Sequence, residues 1–172
     1  MFKNSNLAKI KLAGQVYTPN NIVKLMLDFV GYRSNGIIEK HIIDNSAGDG
    51  AFLKEIVIRY INAYIGSFGN NIITLKKHLE TYIHGIEIDK DEYQKCINNL
   101  NAIAYQYGIE NVDWDILNLD ALDTSVFDGK MDYVVGNPPY IRIHNLYKNG
   151  QIENVKRFKF FSGGMSDLYI IF

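Results

Sequence analysis

A candidate catalytic loop lies in VVGNPPY, residues 134–140. Proline fixes φ and lacks a backbone donor, so Pro138 and Pro139 end the apolar run before them and stiffen the loop. The side-chain oxygen of Asn137 and the carbonyl of Pro138 can accept both hydrogens of one planar amino group, and Tyr140 offers a face for the ring bearing it. These bonds concentrate the lone pair on nitrogen, so the neutral asparagine activates a weak nucleophile chiefly by geometry.

A glycine-containing loop, DNSAGDG, runs from Asp44 to Gly50, between an apolar segment and a helical one. Gly48 and Gly50 allow tight turning and close approach of the backbone to a ligand, and the start of the next helix offers free N–H groups. The loop alone leaves two interpretations open, a ligand site or a simple tight turn. The lysine of a P-loop and the third glycine of a dinucleotide fingerprint are both absent.

Carboxylates follow the next two apolar segments. Glu87, in GIEID, can accept hydrogen bonds from both hydroxyls of a ribose, and Ile88 beside it can pack on an adenine face. Capping of the following helix is the alternative, which we favour for Asp89 but not for Glu87. Asp120, in LDALD, can accept a hydrogen from an adenine amino group, and Asp115 competes for that role.

Positioning these groups together requires alternating strands and helices. Thr18 is predicted to cap a first helix, with Pro19 in its first turn, and Gly108 is predicted to end a later one. The first predicted strand ends at Asp44, and the next three cover YIHGIEI, VDWDIL and MDYVVG. The other predicted helices cover AFLKEIVIRYINAY, a stretch from the GSFGNN turn to about Glu80, and DKDEYQKCINNLNAIAYQYG. This order predicts an α/β fold with a mostly parallel sheet, helices on both faces and the functional loops at one edge.

Composition limits the class of protein. The chain has 172 residues, 47% of them hydrophobic, which is typical of one globular domain. A formal net charge of -1 argues against a general nucleic-acid coat protein. Cys96 is the single cysteine and is expected to be a small buried group, which suits a cytoplasmic protein without disulfides or a cysteine-rich zinc site. We expect no bound metal and no membrane association.

In type and order, these motifs resemble those of the S-adenosylmethionine-dependent N6-adenine DNA methyltransferases, and the resemblance covers nearly the whole chain. GQVYTP, residues 14–19, resembles the upstream motif that holds the methionine part of the cofactor, and Asp120 suits the family better than Asp115. The catalytic residues implied are Asn137, Pro138, Pro139 and Tyr140. The cofactor-binding residues implied are Tyr17, Thr18, Asp44, Ser46, Gly48, Gly50, Glu87, Ile88, Asp120 and Ala121.

The resemblance implies a Rossmann-like class I methyltransferase fold, with residues 1–172 forming the N-terminal part of the catalytic domain. The motif order implies the gamma arrangement, in which a C-terminal recognition domain binds double-stranded DNA, and GGMSDLYIIF resembles a segment of restriction-associated members. We therefore expect a sheet truncated after its fourth strand, whose exposed strand edge and apolar surface favour self-association. Asn45 and Asp49 depart from the family pattern, which usually has proline and a small residue there.

The activity implied is methyl transfer to the N6 amino group of an adenine flipped out of DNA, within a restriction-modification system. Two alternatives stay open. One is a protein-glutamine methyltransferase, because a glutamine amide is also a planar nitrogen that NPPY can hold. The other is a noncatalytic module that binds S-adenosylmethionine without transferring its methyl group.

Overall fold

The computed structural model describes residues 17–138 of the chain. Two 3-10 turns, Ser34–Ile37 and Ala121–Asp123, accompany the regular elements. These elements are, in order, α1 (Asn20–Phe29), β1 (Ile42–Asp44), α2 (Ala51–Phe68), α3 (Ile72–Tyr82), β2 (Ile83–Ile86), α4 (Lys90–Gln106), β3 (Asp115–Leu117) and β4 (Tyr133–Val135).

The four strands form one sheet in the order β3-β2-β1-β4. Each neighbouring pair is parallel, with Asp44 of β1 aligned with Gly85 of β2 and with Val135 of β4. Parallel strands need long crossover connections, and here helices or the segment between β3 and β4 provide them. The predicted parallel α/β sheet is confirmed, and all four carboxyl ends lie at one edge.

The helices of the described part pack on one face of this sheet. A single hydrophobic cluster joins side chains of all four helices to Ile42, Ile83, Ile116 and Val135 of the strands. Side chains alternate between faces along a strand, and the opposite face, which includes Ile43, Ile86 and Val134, borders a cavity of about 300 Å³. In residues 17–138, the segment between β3 and β4, which includes the 3-10 turn Ala121–Asp123, covers that second face, and no α-helix does so.

Element boundaries differ from the predicted ones mainly at glycines and at strand ends. Helix α2 continues through Gly66 and ends at Phe68, so part of the predicted GSFGNN turn is helical. Gly69, whose φ is +75°, caps this end of the helix. Gly108, with φ +74°, follows the end of α4 as predicted. The strands are only three or four residues long, shorter than the apolar segments that predicted them.

The predicted cap of the first helix is wrong. Pro19 is extended, with φ -58° and ψ 143°, so it occupies the capping position itself and α1 begins at Asn20 without a side-chain cap. Thr18 therefore lies one residue outside the cap, and its hydroxyl oxygen accepts a hydrogen bond from the side chain of Asn137. Cys96 is fully buried, as predicted. Among the helices of residues 17–138, none has the length and apolarity needed to cross a bilayer.

Candidate functional site

The loop after β1 carries a buried carboxyl and a buried hydroxyl. Asp44 is the last residue of β1 and is only 1% exposed. Its Oδ1 accepts a hydrogen bond of 3.0 Å from the backbone N–H of Ser46. Burial raises the pKa of Asp44 to about 7. The hydroxyl of Ser46 is buried beside the Asp44 carboxyl, whose charged form it helps to stabilise, but within residues 17–138 it makes no hydrogen bond of good geometry, so a bound polar group could bond to it.

Two positions of this loop favour glycine, each for a different steric reason. Gly48 has a φ of +56°, in the left-handed region, and an added Cβ there would face open space. Gly50 has a φ of +87°, and its Cβ would lie 2.9 Å from Sγ of Cys96 on α4. The loop can therefore lie this close to α4 only because Gly50 has no side chain.

Asp49, between those glycines, is held from two helices. Its carboxylate pairs with Lys54 Nζ at 3.1 Å, and its carbonyl accepts a hydrogen bond of 2.9 Å from the side-chain amide of Asn99. The sequence analysis did not identify either partner. An asparagine on a helix face gives no local signal that it will bond to a loop 50 residues away.

Glu87 connects the loops that follow β1 and β2. Its Oε2 accepts a 2.7 Å hydrogen bond from Gly48 N–H, and its Oε1 accepts one of 2.8 Å from Asp89 N–H. The side chain is buried, which raises its pKa. A carboxylate has about four acceptor positions, so these two bonds leave acceptor capacity for a ligand. Ile88 follows with 65% of its surface exposed, and Asp89 caps α4 as predicted.

Asp115 and Asp120, the two candidates for the contact with an adenine amino group, lie at opposite ends of β3. Asp115 begins β3, and its Oδ2 lies 2.6 Å from Nδ1 of His84. That position is at the amino end of the strand, away from the functional loops. Asp120 follows the carboxyl end of β3, where its Oδ1 accepts a 2.9 Å hydrogen bond from Leu122 N–H. Ala121, beside it, lines the 300 Å³ cavity.

Asn118 is a site residue that the sequence analysis missed. Its side-chain amide donates to the carbonyl of Glu87 at 2.7 Å and to that of Ile88 at 3.2 Å. These bonds tie the loop after β3 to the end of β2 and fix the backbone around Glu87. The available signal was its position directly after a predicted strand, where polar side chains often serve the sheet edge.

The NPPY loop begins on top of the β1 loop. A Cβ on Gly136 would lie 2.6 Å from Oδ1 of Asp44 and 3.2 Å from Oγ of Ser46, so only glycine permits this approach. The next residue, Asn137, donates from Nδ2 to Oγ1 of Thr18 at 3.1 Å. Pro138 is the last described residue, whereas Pro139 and Tyr140 lie outside the described residues.

Tyr17, also predicted for the site, is 47% exposed and lies near Glu92 and Lys95 in the first turns of α4. Partial burial and the nearby carboxylate of Glu92 raise its pKa, which keeps the phenol protonated. Glu92 is buried and pairs with Lys95 Nζ at 2.6 Å. Tyr17 therefore places a neutral aromatic side chain beside the same edge of the sheet.

Together these groups place polar side chains beside exposed apolar ones at one edge of the sheet. The buried Ser46 hydroxyl and the remaining acceptors of Glu87 suit polar groups, while exposed Ile88 and Tyr17 suit a flat apolar ring. The parallel sheet covered by helices is a Rossmann-like α/β fold. The chain belongs to the N-6 DNA Methylase family, whose model matches residues 1–167.

Known relatives agree with that family. The chain is 33% identical over 174 aligned positions to the Type II methyltransferase M.BstVI of Geobacillus stearothermophilus, covering 94% of this chain and 30% of the relative. It is 27% identical to M.PaeR7I of Pseudomonas aeruginosa, covering 77% of this chain and 24% of that protein. The chain therefore spans less than a third of the length of these relatives.

Solved structures show the same fold at low identity. A cryo-EM structure of a DrdV–DNA complex matches with a TM-score of 0.63 and 19% identity, covering 96% of this chain and 19% of that one. A structure from Listeria monocytogenes, named "putative class I S-adenosylmethionine-dependent methyltransferase", matches with a TM-score of 0.55 and 18% identity, covering 91% of this chain and 40% of that one. These likenesses concern the fold alone.

Proposed function

We propose that residues 1–172 form the N-terminal part of a catalytic domain that methylates the N6 amino group of adenine in DNA, in a restriction-modification system. One observation carries this proposal. The sheet brings Asn137, the first residue of NPPY, against the upstream Thr18 and next to Gly136, which packs on Asp44. A catalytic amide beside a ligand loop is the arrangement that methyl transfer to an amino group requires.

We assign the cofactor S-adenosylmethionine to the loops after β1, β2 and β3. Glu87 would accept the ribose hydroxyls, and Ile88 with Ala121 would contact the adenine ring, whose amino group would bond to Asp120. Tyr17, Thr18, Asp44, Ser46 and the glycines 48 and 50 would hold the methionine portion. The buried Ser46 hydroxyl, which makes no hydrogen bond of good geometry within residues 17–138, supports this assignment because a bound polar group could bond to it.

When bound, S-adenosylmethionine would supply a methyl group from a positively charged sulfur, which would leave as a neutral thioether, while the methylated nitrogen would release one proton to water. The task of this chain is to orient the target amine. The side-chain oxygen of Asn137 and the carbonyl of Pro138 would accept the two amine hydrogens and direct the nitrogen lone pair toward that methyl group. Tyr140 would stack on the target ring. Asn137 is neutral and would act by position rather than as a strong base.

Double-stranded DNA is the proposed substrate, and a cytoplasmic location follows from it. An adenine amino group engaged in base pairing must leave the duplex before Asn137 could bond to it. In the gamma arrangement, a C-terminal recognition domain would supply the sequence-specific contacts. Named relatives that are Type II methyltransferases, and a structural neighbour solved with DNA, support DNA over a glutamine side chain as the substrate.

The test is calorimetric titration with S-adenosylmethionine, followed by an assay for radiolabelled methyl transfer to an adenine-containing duplex. Glu87→Ala should weaken cofactor binding at least tenfold. The matched control Glu110→Ala removes an exposed glutamate and should leave binding unchanged. A folded chain that does not bind the cofactor would overturn the assignment. Cofactor binding without methylation of any duplex would favour the noncatalytic module.

A further inference from the structure

We propose that Thr18 is a positioning residue that fixes the orientation of the catalytic Asn137 side chain. This inference rests on the proposed function, because the orientation matters only if Asn137 holds the target amine. The observation is the 3.1 Å hydrogen bond from Nδ2 of Asn137 to Oγ1 of Thr18. The two residues are 119 positions apart in the chain, so the contact exists only in the folded domain.

The bond selects one of two orientations of the amide when the Thr18 O–H is donated to another group, because the threonine oxygen can then only accept. Rotation of an asparagine side chain by half a turn about its last bond exchanges its donor for its acceptor. With Nδ2 donating to Thr18, Oδ1 faces away from Thr18 and is the atom that would accept a hydrogen from the substrate amine. Donation through Nδ2 also polarises the amide and strengthens Oδ1 as an acceptor.

The Thr18 side of this contact is held by helix α1. Pro19 fixes the chain directly after Thr18, and its carbonyl accepts hydrogen bonds from Ile22 and Val23 in the first turn. Further along α1, Arg59 of α2 donates to the carbonyl of Lys24 at 3.1 Å and to the carboxylate of Asp28 at 2.6 Å. The Thr18 hydroxyl is therefore presented from an anchored backbone.

The Asn137 side is held by the end of strand β4. Val135 is buried in the core, and Gly136 packs directly on the carboxyl group of Asp44. Both partners thus start from fixed backbones, and the bond between them needs little further ordering. Threonine also keeps its own O–H, which can donate to a bound cofactor while its oxygen accepts from Asn137. One side chain can therefore serve both the cofactor and the catalytic amide.

The first test observes the bond directly in Thr18→Val and Thr18→Ser, with asparagine side chains labelled with nitrogen-15. The Asn137 signals are identified by their loss in Asn137→Asp. In Thr18→Val the Asn137 side-chain protons should shift and exchange faster with water, whereas Thr18→Ser should preserve them. Thr81→Val, a substitution at an exposed position of α3, is the matched control. Unmoved Asn137 signals in a folded Thr18→Val would overturn the inference.

The second test measures methyl transfer at saturating S-adenosylmethionine. Thr18→Val should lower kcat about tenfold, equivalent to about 1.4 kcal/mol, while KM for DNA changes less than twofold and Thr18→Ser recovers most of the rate. A variant that weakens only cofactor affinity and keeps kcat would overturn the positioning role. If the wild-type chain transfers no methyl group, the proposed function fails, and the Asn137 signals alone decide whether Thr18 orients that amide.

Discussion

The backbone N–H of Gly48 donates a 2.7 Å hydrogen bond to Oε2 of Glu87, joining the loop after β1 to the end of β2. Asp89 N–H donates to the other oxygen at 2.8 Å. By accepting hydrogen bonds from these two backbone donors, the Glu87 carboxylate fixes the shape of the loop after β1 without a bound ligand. Glu87 is therefore structural and, under the proposed function, ligand-binding as well.

Replacement of Glu87 by glutamine should destabilise the domain. Glutamine has one acceptor oxygen, so its NH2 group would face a backbone N–H that loses its partner. An unsatisfied buried donor costs about 1–3 kcal/mol, and urea unfolding should report a decrease in that range. Glu110→Gln, a substitution at an exposed position, should change the free energy of unfolding by less than about 0.5 kcal/mol. Equal effects of both variants would contradict the role of the two hydrogen bonds.

Asp44 should make the stability of the domain fall as the pH rises. Its pKa of about 7 exceeds the unfolded value of about 3.9. Between these values the folded state keeps a proton that the unfolded state has released, so the free energy of unfolding decreases with increasing pH. Asp44→Asn removes this ionisation. The free energy of unfolding of Asp44→Asn should therefore rise relative to that of the wild type by roughly 2–4 kcal/mol from about pH 4 to above pH 7.

Urea unfolding of the wild type and Asp44→Asn at several pH values measures that difference. The exposed aspartate Asp113 gives the control Asp113→Asn, which should show no such growth. A difference between Asp44→Asn and the wild type that stays constant with pH would show that the Asp44 carboxyl is not buried as the structure indicates.

Gly136→Ala should disturb the start of the NPPY loop. The added Cβ would lie 2.6 Å from Oδ1 of Asp44, and overpacking of this kind typically costs about 1–3 kcal/mol. Gly36→Ala is the control, because nothing lies within 4 Å of an added Cβ there. Thermal or urea unfolding should separate the two variants clearly.

A double-mutant cycle then identifies the cause of the Gly136 effect. Asp44→Ala removes the group that the new Cβ meets, so the double variant should lose less stability than the sum of the single variants. Strict additivity of Asp44→Ala and Gly136→Ala would mean that another neighbour opposes the alanine.

The single thiol should be inert in the folded protein. Cys96 is fully buried, and burial raises its pKa to about 12, so very little reactive thiolate exists at neutral pH. A colorimetric thiol reagent at pH 8 should detect no thiol in the native protein and one per chain in urea. Rapid native labelling would indicate that α4 opens away from the loop around Gly50.

Self-association should involve the outer face of α1. Leu25 and Phe29 are 63% and 91% exposed on that helix, although Val23 and Leu27 on the same helix are fully buried. Exposed apolar patches favour protein contacts. Leu25→Lys combined with Phe29→Lys should lower the weight-average mass measured by sedimentation at high protein concentration.

Ile73→Lys on α3 provides the control for this sedimentation experiment, because that residue is 74% exposed on a different surface. It should leave the mass unchanged. A wild type that stays monomeric at all concentrations, or an equal effect of Ile73→Lys, would contradict the involvement of α1.

The sequence by itself determined the alternation of elements and the chemistry at the strand ends. Periodic apolar residues, glycines such as Gly108 and polar loops after each apolar segment are local signals, so they predicted a parallel sheet with Asp44, Glu87 and Asn137 near one edge. Exact boundaries were less predictable. Gly66 lies within α2 because tertiary packing outweighs the modest helix penalty of one glycine.

Only the tertiary structure decided which of these groups meet. It placed Asp115 at the amino end of β3 and Asp120 after its carboxyl end. It made Thr18 the partner of Asn137 rather than a helix cap, and it packed Gly136 on Asp44. These relationships depend on strand order and on the path of connections between distant segments. No local pattern encodes a contact across 119 residues, because it forms only when the sheet aligns the carboxyl ends of its strands.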